Sequence, residues 1–404
     1  MSKELKERIK CIKQGKLLEG YKIEKNRIIP ENWNFEAISD LIEKIKKPVK
    51  VEPKCEYRQI GIRSHGKGIF YKNVVTGEEL GKKSVFWIEP DCFIVNIVFA
   101  WEMAIGKTTN KEIGMIASHR FPMYKPKRNK LDLDFMTYFF KSPWGNNLLE
   151  LASPGGAGRN KTLGQDEFLK LKIPVPPLAE QQKITDILST WDKAIELKEQ
   201  LIEEKKQQKK GLMKELLTGE VRLPGFNGKW KEIKLGDVTK YQSSNISISS
   251  LENYVGPELY PVYSATGIYK YIDQCNVFVD YIAIIKDGAG AGRLCRGVKE
   301  SSVIGTMGCI INNKNVDFEF LYQQLQLIDF KKYIKGSTIP HVYYKDYKNE
   351  TIQKPTIEEQ KTIAKLLKTS DREIELLEQE LSALKLQKKG LMQLLLTGIV
   401  RVQS

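Results

Sequence analysis

A 47-residue stretch occurs twice in this chain, and nothing else in the sequence constrains the fold as strongly. It reads PPLAEQQKITDILSTWDKAIELKEQLIEEKKQQKKGLMKELLTGEVR at 176–222 and PTIEEQKTIAKLLKTSDREIELLEQELSALKLQKKGLMQLLLTGIVR at 355–401. The copies align without a gap and about half of their positions are identical. Their separation far exceeds the period of a solenoid. The chain is expected to run globule, long helix, globule, long helix, with boundaries at 1–175, 176–219, 220–354 and 355–404. Two similar heads on one chain imply a function that takes two readings of one partner.

Both copies carry helix-end signals. Thr356 and Glu359 have the spacing of a capping box, and Pro177 and Glu180 stand there in the first copy. Thr-Gly at 218–219 and at 397–398 supplies a glycine stop. About 38 helical residues would span roughly 57 Å. In the second copy, positions 363, 367, 370, 374, 377, 381, 384, 388, 391 and 395 alternate steps of four and three and are apolar except for Ser370 and Lys388. That is a coiled-coil seam. The first copy keeps Ile184, Leu188, Trp191, Ile195, Ile202, Leu212 and Leu216 in register but adds Lys198, Lys205 and Lys209. Neither helix would stand alone, and the nearest partner is the other copy. Antiparallel packing would put one head at each end, about a pseudo-twofold axis. The expected fold class is α+β: two mixed heads separated by two long antiparallel coiled-coil helices. Gly211 and Gly390 each cost a helix about 1 kcal/mol against alanine, which points to a close helix approach or a kink. The lysine-rich ends (Lys205, Lys206, Lys209, Lys210; Lys385, Lys388, Lys389) fit a solvated face as well as contact with a protein partner or phosphates.

The heads echo each other more faintly. Residues 1–20 read as a short amphipathic helix. Trp33, Ile38, Asp40 and Leu41 then match Trp230, Leu235, Asp237 and Val238 at equal spacing, so each head is expected to open with the same segment. VFWIEPDCFIVNIVFAW (85–101) reads as strands broken at Pro90-Asp91, and LDLDFMTYFFKSPWGNNLLELA (131–152) as helix. In the second head, 276–288 and 303–313 read as strands and 317–334 as helix.

A net charge of +15 and a pI near 9.2 favour a polyanion or an anionic membrane surface, with mere solubility as the plain alternative. No apolar run reaches the ~20 residues of a membrane span, and the N-terminus lacks a signal-peptide centre, so a cytoplasmic protein is expected. Six scattered cysteines, most expected as buried thiols, and three histidines give no metal-ligand spacing. GIRSHGKG (61–68) has phosphate-loop spacing but ends in Gly68 where a Ser or Thr belongs. DGAGAGR (287–293) reads as strand-turn-strand. Carboxylate-and-lysine sets around Asp132 and Asp134 are of a kind any chain this charged offers, and no catalytic centre emerges.

Pro-x-x-x-Glu-Gln at 176–181 and 355–360, the long helix after each, and the closing QKKGLM-x-x-LLTG resemble the specificity subunits of type I restriction-modification systems. The resemblance covers the chain in order. It implies that each head is a target recognition domain reading one half of a bipartite, asymmetric site on double-stranded DNA. It implies helices that set the half-site spacing and dock methyltransferase subunits, with restriction subunits joining the complex. S-adenosylmethionine, ATP and Mg²⁺ would then sit on the partner subunits and no cofactor on this chain. The chain itself would be non-catalytic. The rival readings are a stand-alone nuclease or methyltransferase with diverged motifs and a coiled-coil scaffold without a DNA role.

Under this resemblance, the candidate DNA contacts are polar and basic loop residues. They are Arg63, His65, Lys67, Lys107, Arg120, Lys127, Arg128, Arg159, Asn160 and Lys161 in the first head, and Ser243, Ser244, Asn245, Lys286, Arg293, Arg296, Lys335, Ser337, Thr338 and His341 in the second. The candidate docking residues are Glu180, Gln181, Lys209, Gly211 and Met213, with Glu359, Gln360, Lys388, Gly390 and Met392. The seam lysines 198, 205 and 209 leave intramolecular packing open there, and a bound subunit is expected to complete that surface.

Overall fold

The computed structural model describes residues 3–81, 83–155 and 161–402. The chain divides into two compact units, 1–197 with 381–404 and 198–380. Each unit holds one head and a segment of both long helices. Those helices run Leu178–Thr218 and Ile357–Leu396. Each stops at a glycine with positive φ, Gly219 (+80°) and Gly398 (+70°), a conformation that side chains other than glycine rarely adopt. No helix among the described residues is long and apolar enough to cross a membrane.

In unit 1 a hairpin (Tyr21–Glu24 with Arg27–Pro30) leads to the strand Asn34–Ala37, which pairs antiparallel with Lys172–Val175, the strand that feeds the first long helix. Between them lie two four-stranded sheets. The main core gathers Trp33, Phe93, Phe135, Phe139, Phe140 and Phe168 together with Ile184 and Leu188 of the first long helix and Leu395 and Leu396 of the second. Burying each such side chain stabilises by about 1.5–3 kcal/mol, so the helices close the head's own core. The helical stretch 131–152 is two helices, Leu133–Lys141 and Pro143–Leu151. The break is at Ser142: its Oγ donates to Phe139 O (2.6 Å) and accepts from Gly145 N (3.1 Å). Pro143 lacks the N–H that would continue the first helix.

Unit 2 repeats the frame. Lys231–Lys234 pairs antiparallel with Thr351–Lys354, and a four-stranded and a three-stranded sheet follow. Its core joins Phe320, Leu325 and Tyr347 to Met213, Leu216 and Leu217 of the first long helix and Ile363 and Leu367 of the second. The Gly-rich turn 287–293 does link two strands, Tyr281–Ile285 and Leu294–Gly297. GIRSHGKG likewise forms a hairpin turn between Glu56–Arg63 and Gly68–Thr76, with no helix N-terminus after it to hold a phosphate.

The heptad register is visible within each unit. Ile363, Leu367 and Leu395 are buried, and 370, 374, 377, 381, 384, 388 and 391 are half-buried among exposed neighbours. In unit 1, Glu180 meets Arg401 and Asp192 meets Lys388; in unit 2, Lys198 meets Glu380 (2.8 Å), Lys205 meets Glu373 (2.7 Å) and Lys209 meets Asp371 (2.5 Å). Rising numbers on one helix face falling numbers on the other, so the segments are antiparallel in both units. The seam lysines, which the sequence leaves open to a partner subunit, each pair with an acid of the second helix. At Gly211 and Gly390, of the two expected explanations, the close helix approach is not met within the chain: a Cβ at either would meet nothing within 4 Å.

Candidate nucleic-acid interface and the head–helix junction

Each long helix begins with a Glu-Gln pair, and the structure places all four side chains inside their own unit. Glu180 is 2% exposed. It accepts from Trp33 Nε1 (3.1 Å) and from Arg401 Nε (2.7 Å) and Nη2 (3.0 Å). Glu359, 1% exposed, accepts from Trp230 Nε1 (3.1 Å) and from Arg222 Nε (2.7 Å) and Nη2 (2.8 Å). Bidentate guanidinium pairing is the strong form of such contacts. The following glutamine works on the head helix. Gln181 Oε1 accepts from Asp132 N and Gln360 Oε1 from Asp317 N, both at 2.8 Å. Their Nε2 groups donate back to Pro176 O and Pro355 O, both at 2.9 Å. Assigning Glu180, Gln181, Glu359 and Gln360 to subunit docking is therefore corrected: they are buried clasps that tie the head to the helix pair. Because Glu359 turns to Arg222 and Trp230, only half of the capping box forms, Glu359 N donating to Thr356 Oγ1 (3.4 Å).

The other docking candidates divide. Lys209 and Lys388 are paired across the helices with Asp371 and Asp192, and Met213 belongs to the unit 2 core. Met392 packs on the edge of the unit 1 core, whereas Gly211 and Gly390 are exposed.

Among the DNA-contact candidates several charges are already spent. Lys107 Nζ bonds both oxygens of Asp134 (2.8 Å each). Arg296 Nε donates to Glu319 (3.0 Å), its Nη2 donates to Asp371 (2.8 Å), and the guanidinium stacks 3.9 Å from the Tyr322 ring centroid. Those paired acids outweigh burial and push the Arg296 pKa above its ordinary value. Both cations thus tie a sheet strand to the head helix, and Arg296 ties it to a long helix as well. Lys127 donates to Ser39 O (2.8 Å), Lys161 to Glu150 (2.7 Å), Arg293 to Ala265 O (2.6 Å) and Lys335 to Asp346 (2.8 Å). Ser244 is buried, and its Oγ accepts from Ile246 N (3.2 Å).

The remaining candidates collect on loops. Arg63, His65 and Lys67 share the 63–68 turn, where His65 has φ +60° and its N–H donates to Glu102 O. Arg120 and Arg128 are exposed, and with Lys67 their charges have no carboxylate partner among the described residues. His119, beside Arg120, lines a cleft of about 230 Å³ with Lys44, Lys46, Phe86 and Phe121. Ser243 and Asn245 are exposed. Arg159 and Asn160 lie outside the described residues.

In unit 2 the loops 286–292 and 335–341 are joined. His341 Nδ1 and Asp287 Oδ1 are 2.7 Å apart, Gly288 N donates to Pro340 O (2.9 Å), and Val342 N donates to Lys286 O (2.8 Å). This brings Lys286, His341, Lys335 and the exposed Ser337 and Thr338 into one cluster. Of the six cysteines only Cys92 and Cys309 are buried, fewer than expected. Their thiols are pushed up to about 11 and about 12 by burial, which leaves them unreactive.

Sequence reasoning missed Arg222 and Arg401. The signal was present, because the duplicated Val-Arg after each glycine stop, the duplicated Trp and the duplicated Glu together form a repeated, charge-balanced set.

The sequence profile described as the type I restriction modification DNA specificity domain matches residues 30–207 and again 227–386. The chain is 27% identical over 417 residues to the type I restriction enzyme MjaVIII specificity subunit of Methanocaldococcus jannaschii, covering 93% of this chain and 95% of that protein. In fold it is similar to the type I restriction-modification S subunit from M. genitalium, with a TM-score of 0.59 at 18% identity over 95% of this chain and 99% of that one. A chain from a structure concerned with complex assembly and conformational transition of the type I R-M system gives a TM-score of 0.58 at 17% identity, covering 92% and 99%.

Proposed function

This chain belongs to the type I restriction modification DNA specificity domain family, and from that premise we propose that it is the sequence-reading subunit of a type I restriction-modification complex. Each head reads one half of a bipartite, asymmetric site on double-stranded DNA. The long helices set the half-site spacing and dock adenine methyltransferase subunits, and restriction subunits join to cut unmodified DNA. S-adenosylmethionine, ATP and Mg²⁺ act on those partners, in the cytoplasm. This chain supplies recognition and no catalysis; the relatives do not favour a stand-alone DNA-modifying enzyme.

The observation that carries this reading is the doubled match of the family profile to a chain whose two heads are clasped to the helices by the same Trp-Glu-Arg and Gln contacts. A protein that reads two half-sites at one separation needs two heads held alike. The surplus of +15 supplies the phosphate attraction, while base-edge contacts specify. Lys67, Arg120 and Arg128 in the first head, and Asn245, Ser337 and Thr338 in the second, are the proposed contacts, being exposed polar groups on loops. The exposed faces around Gly211 and Gly390 are the proposed docking sites.

The test is adenine-methylation mapping with the chain and its methyltransferase subunits. A two-part motif with one fixed spacer supports the reading, and a single contiguous motif overturns it. Binding by the chain should also weaken steeply with salt, as counterion release requires.

A further inference from the structure

The Glu-Gln clasps anchor each head where a long helix begins, but one anchor leaves a head free to pivot. Further along each unit a second polar contact appears, centred on an aspartate of a long helix. In unit 1, Asp192 Oδ2 accepts from Tyr138 Oη of the head helix (2.6 Å), and Lys388 of the other long helix reaches Oδ1 and lies 5.3 Å over the Tyr138 ring. One turn back on the head helix, Asp134 is held by Lys107 of a sheet strand. In unit 2 the matching position of the repeat is Asp371. Its Oδ1 accepts from Lys209 (2.5 Å), and its Oδ2 from Gln323 Nε2 of the head helix (2.9 Å) and Arg296 Nη2 of a sheet strand (2.8 Å). One turn back, Glu319 is held by the same Arg296.

The plan is the same in both units, built from different head residues: a sheet cation, a head-helix acid and hydrogen-bond donor, a long-helix aspartate and a lysine from the opposite helix. We propose that Asp192 and Asp371 are positioning residues that fix the orientation of each head on its own segment of the helix pair and so restrict the spacer at which both half-sites are read. The inference rests on the two-head reading above. Apolar packing is non-directional and tolerates small rotations, whereas charge-assisted hydrogen bonds that reach one carboxylate from two elements at Asp192 and three at Asp371 do not. A head that rocks would carry its base-reading loops along the DNA, and tolerance at the junction would become tolerance in spacing.

The experiment assembles the full chain with its methyltransferase subunits and methylates a DNA library in which the half-sites are constant and the spacer varies. Asp192→Asn and Asp371→Asn remove the central charge. Tyr138→Phe and Gln323→Met remove the head-helix link (and, at Gln323, a bond to Glu319 one turn back on the same helix), with little change of shape and no lost charge, and they carry the test if the aspartate variants fail to assemble. The expected result is unchanged half-site sequences with about tenfold more methylation, relative to wild type, at spacers one base pair longer or shorter, equivalent to about 1.4 kcal/mol of lost discrimination. A wild-type spacer profile in assembled variants, or altered half-site sequences, overturns the proposal and leaves the two-head reading intact. Failure of the wild-type complex to methylate a bipartite site overturns both.

Discussion

The two head–helix junctions hold the same positions with different chemistry. In unit 2 the guanidinium of Arg296 spans Glu319 and Asp371 and stacks on Tyr322. In unit 1 the strand cation Lys107 stays on Asp134, and Asp192 relies on the Tyr138 hydroxyl and Lys388. An ammonium is a point donor, while a guanidinium is a planar fork that can serve two acids. The residues contributed by the long helices and their flanks keep their identity between copies: Glu180 and Glu359, Gln181 and Gln360, Asp192 and Asp371. Around the aspartates the residues contributed by the heads change, Tyr138 for Gln323 and Lys107 for Arg296, while the heads' Trp33 and Trp230 in the clasps do not. The internal duplication thus preserved the sockets and let the heads find their own plugs.

The sharpest way to break this equivalence is at the buried glutamates. Glu180→Ala and Glu359→Ala each leave an arginine and an indole N–H without their acceptor, and each should cost its unit about 3 kcal/mol in denaturant unfolding. Unequal losses would show that the clasps are not the same device. At the aspartates an inequality is expected instead. Asp371→Asn should cost about 2 kcal/mol and Asp192→Asn about 1 kcal/mol, because Asp371 accepts from two cations and an amide.

Acid sharpens the contrast further. Burial raises the Asp371 carboxyl, but hydrogen bonds from Lys209, Arg296 and Gln323 outweigh it and hold the group below the ordinary aspartate value. Its stabilisation is complete above the unfolded value, about pH 4, and is lost as pH falls through the lower folded value. Unfolding measured between pH 5 and 2 should show this limb in the wild type and a flatter one in Asp371→Asn. The smallest effect belongs to the glycines. Gly211→Ala and Gly390→Ala should each stabilise the isolated chain by about 1 kcal/mol or less, since a methyl meets nothing at either site. Weaker binding of the methyltransferase subunits by the same variants would identify these faces as docking sites.

The helical frame was legible because its signal is periodic and doubled: the seam positions predicted from four-three spacing are those the structure half-buries. The opening Trp of each head was legible for the same reason, by its matched distance to the repeat. The fate of the charges was not. Lys107 finds Asp134, and Arg296 finds Asp371, across long sequence separations that carry no local pattern. Glu180 and Glu359 read from the sequence as docking candidates, not clasps, because glutamates are rarely buried unless paired and their arginines lie far along the chain. The broken head helix could have been read locally, since Ser142-Pro143 is a stop followed by a new helix start.

The placement of Leu395 and Leu396 in the same core as Trp33 and Phe135 has a consequence for how the chain is made. The N-terminal head emerges from the ribosome first, yet its interior lacks a wall until the last helix has been synthesised. Unit 2 is contiguous in sequence, from 198 to 380, and can complete its core before those final residues appear. Of the two heads, the one synthesised first is therefore the one whose core is completed last. During that interval its exposed apolar face is what a chaperone would have to cover.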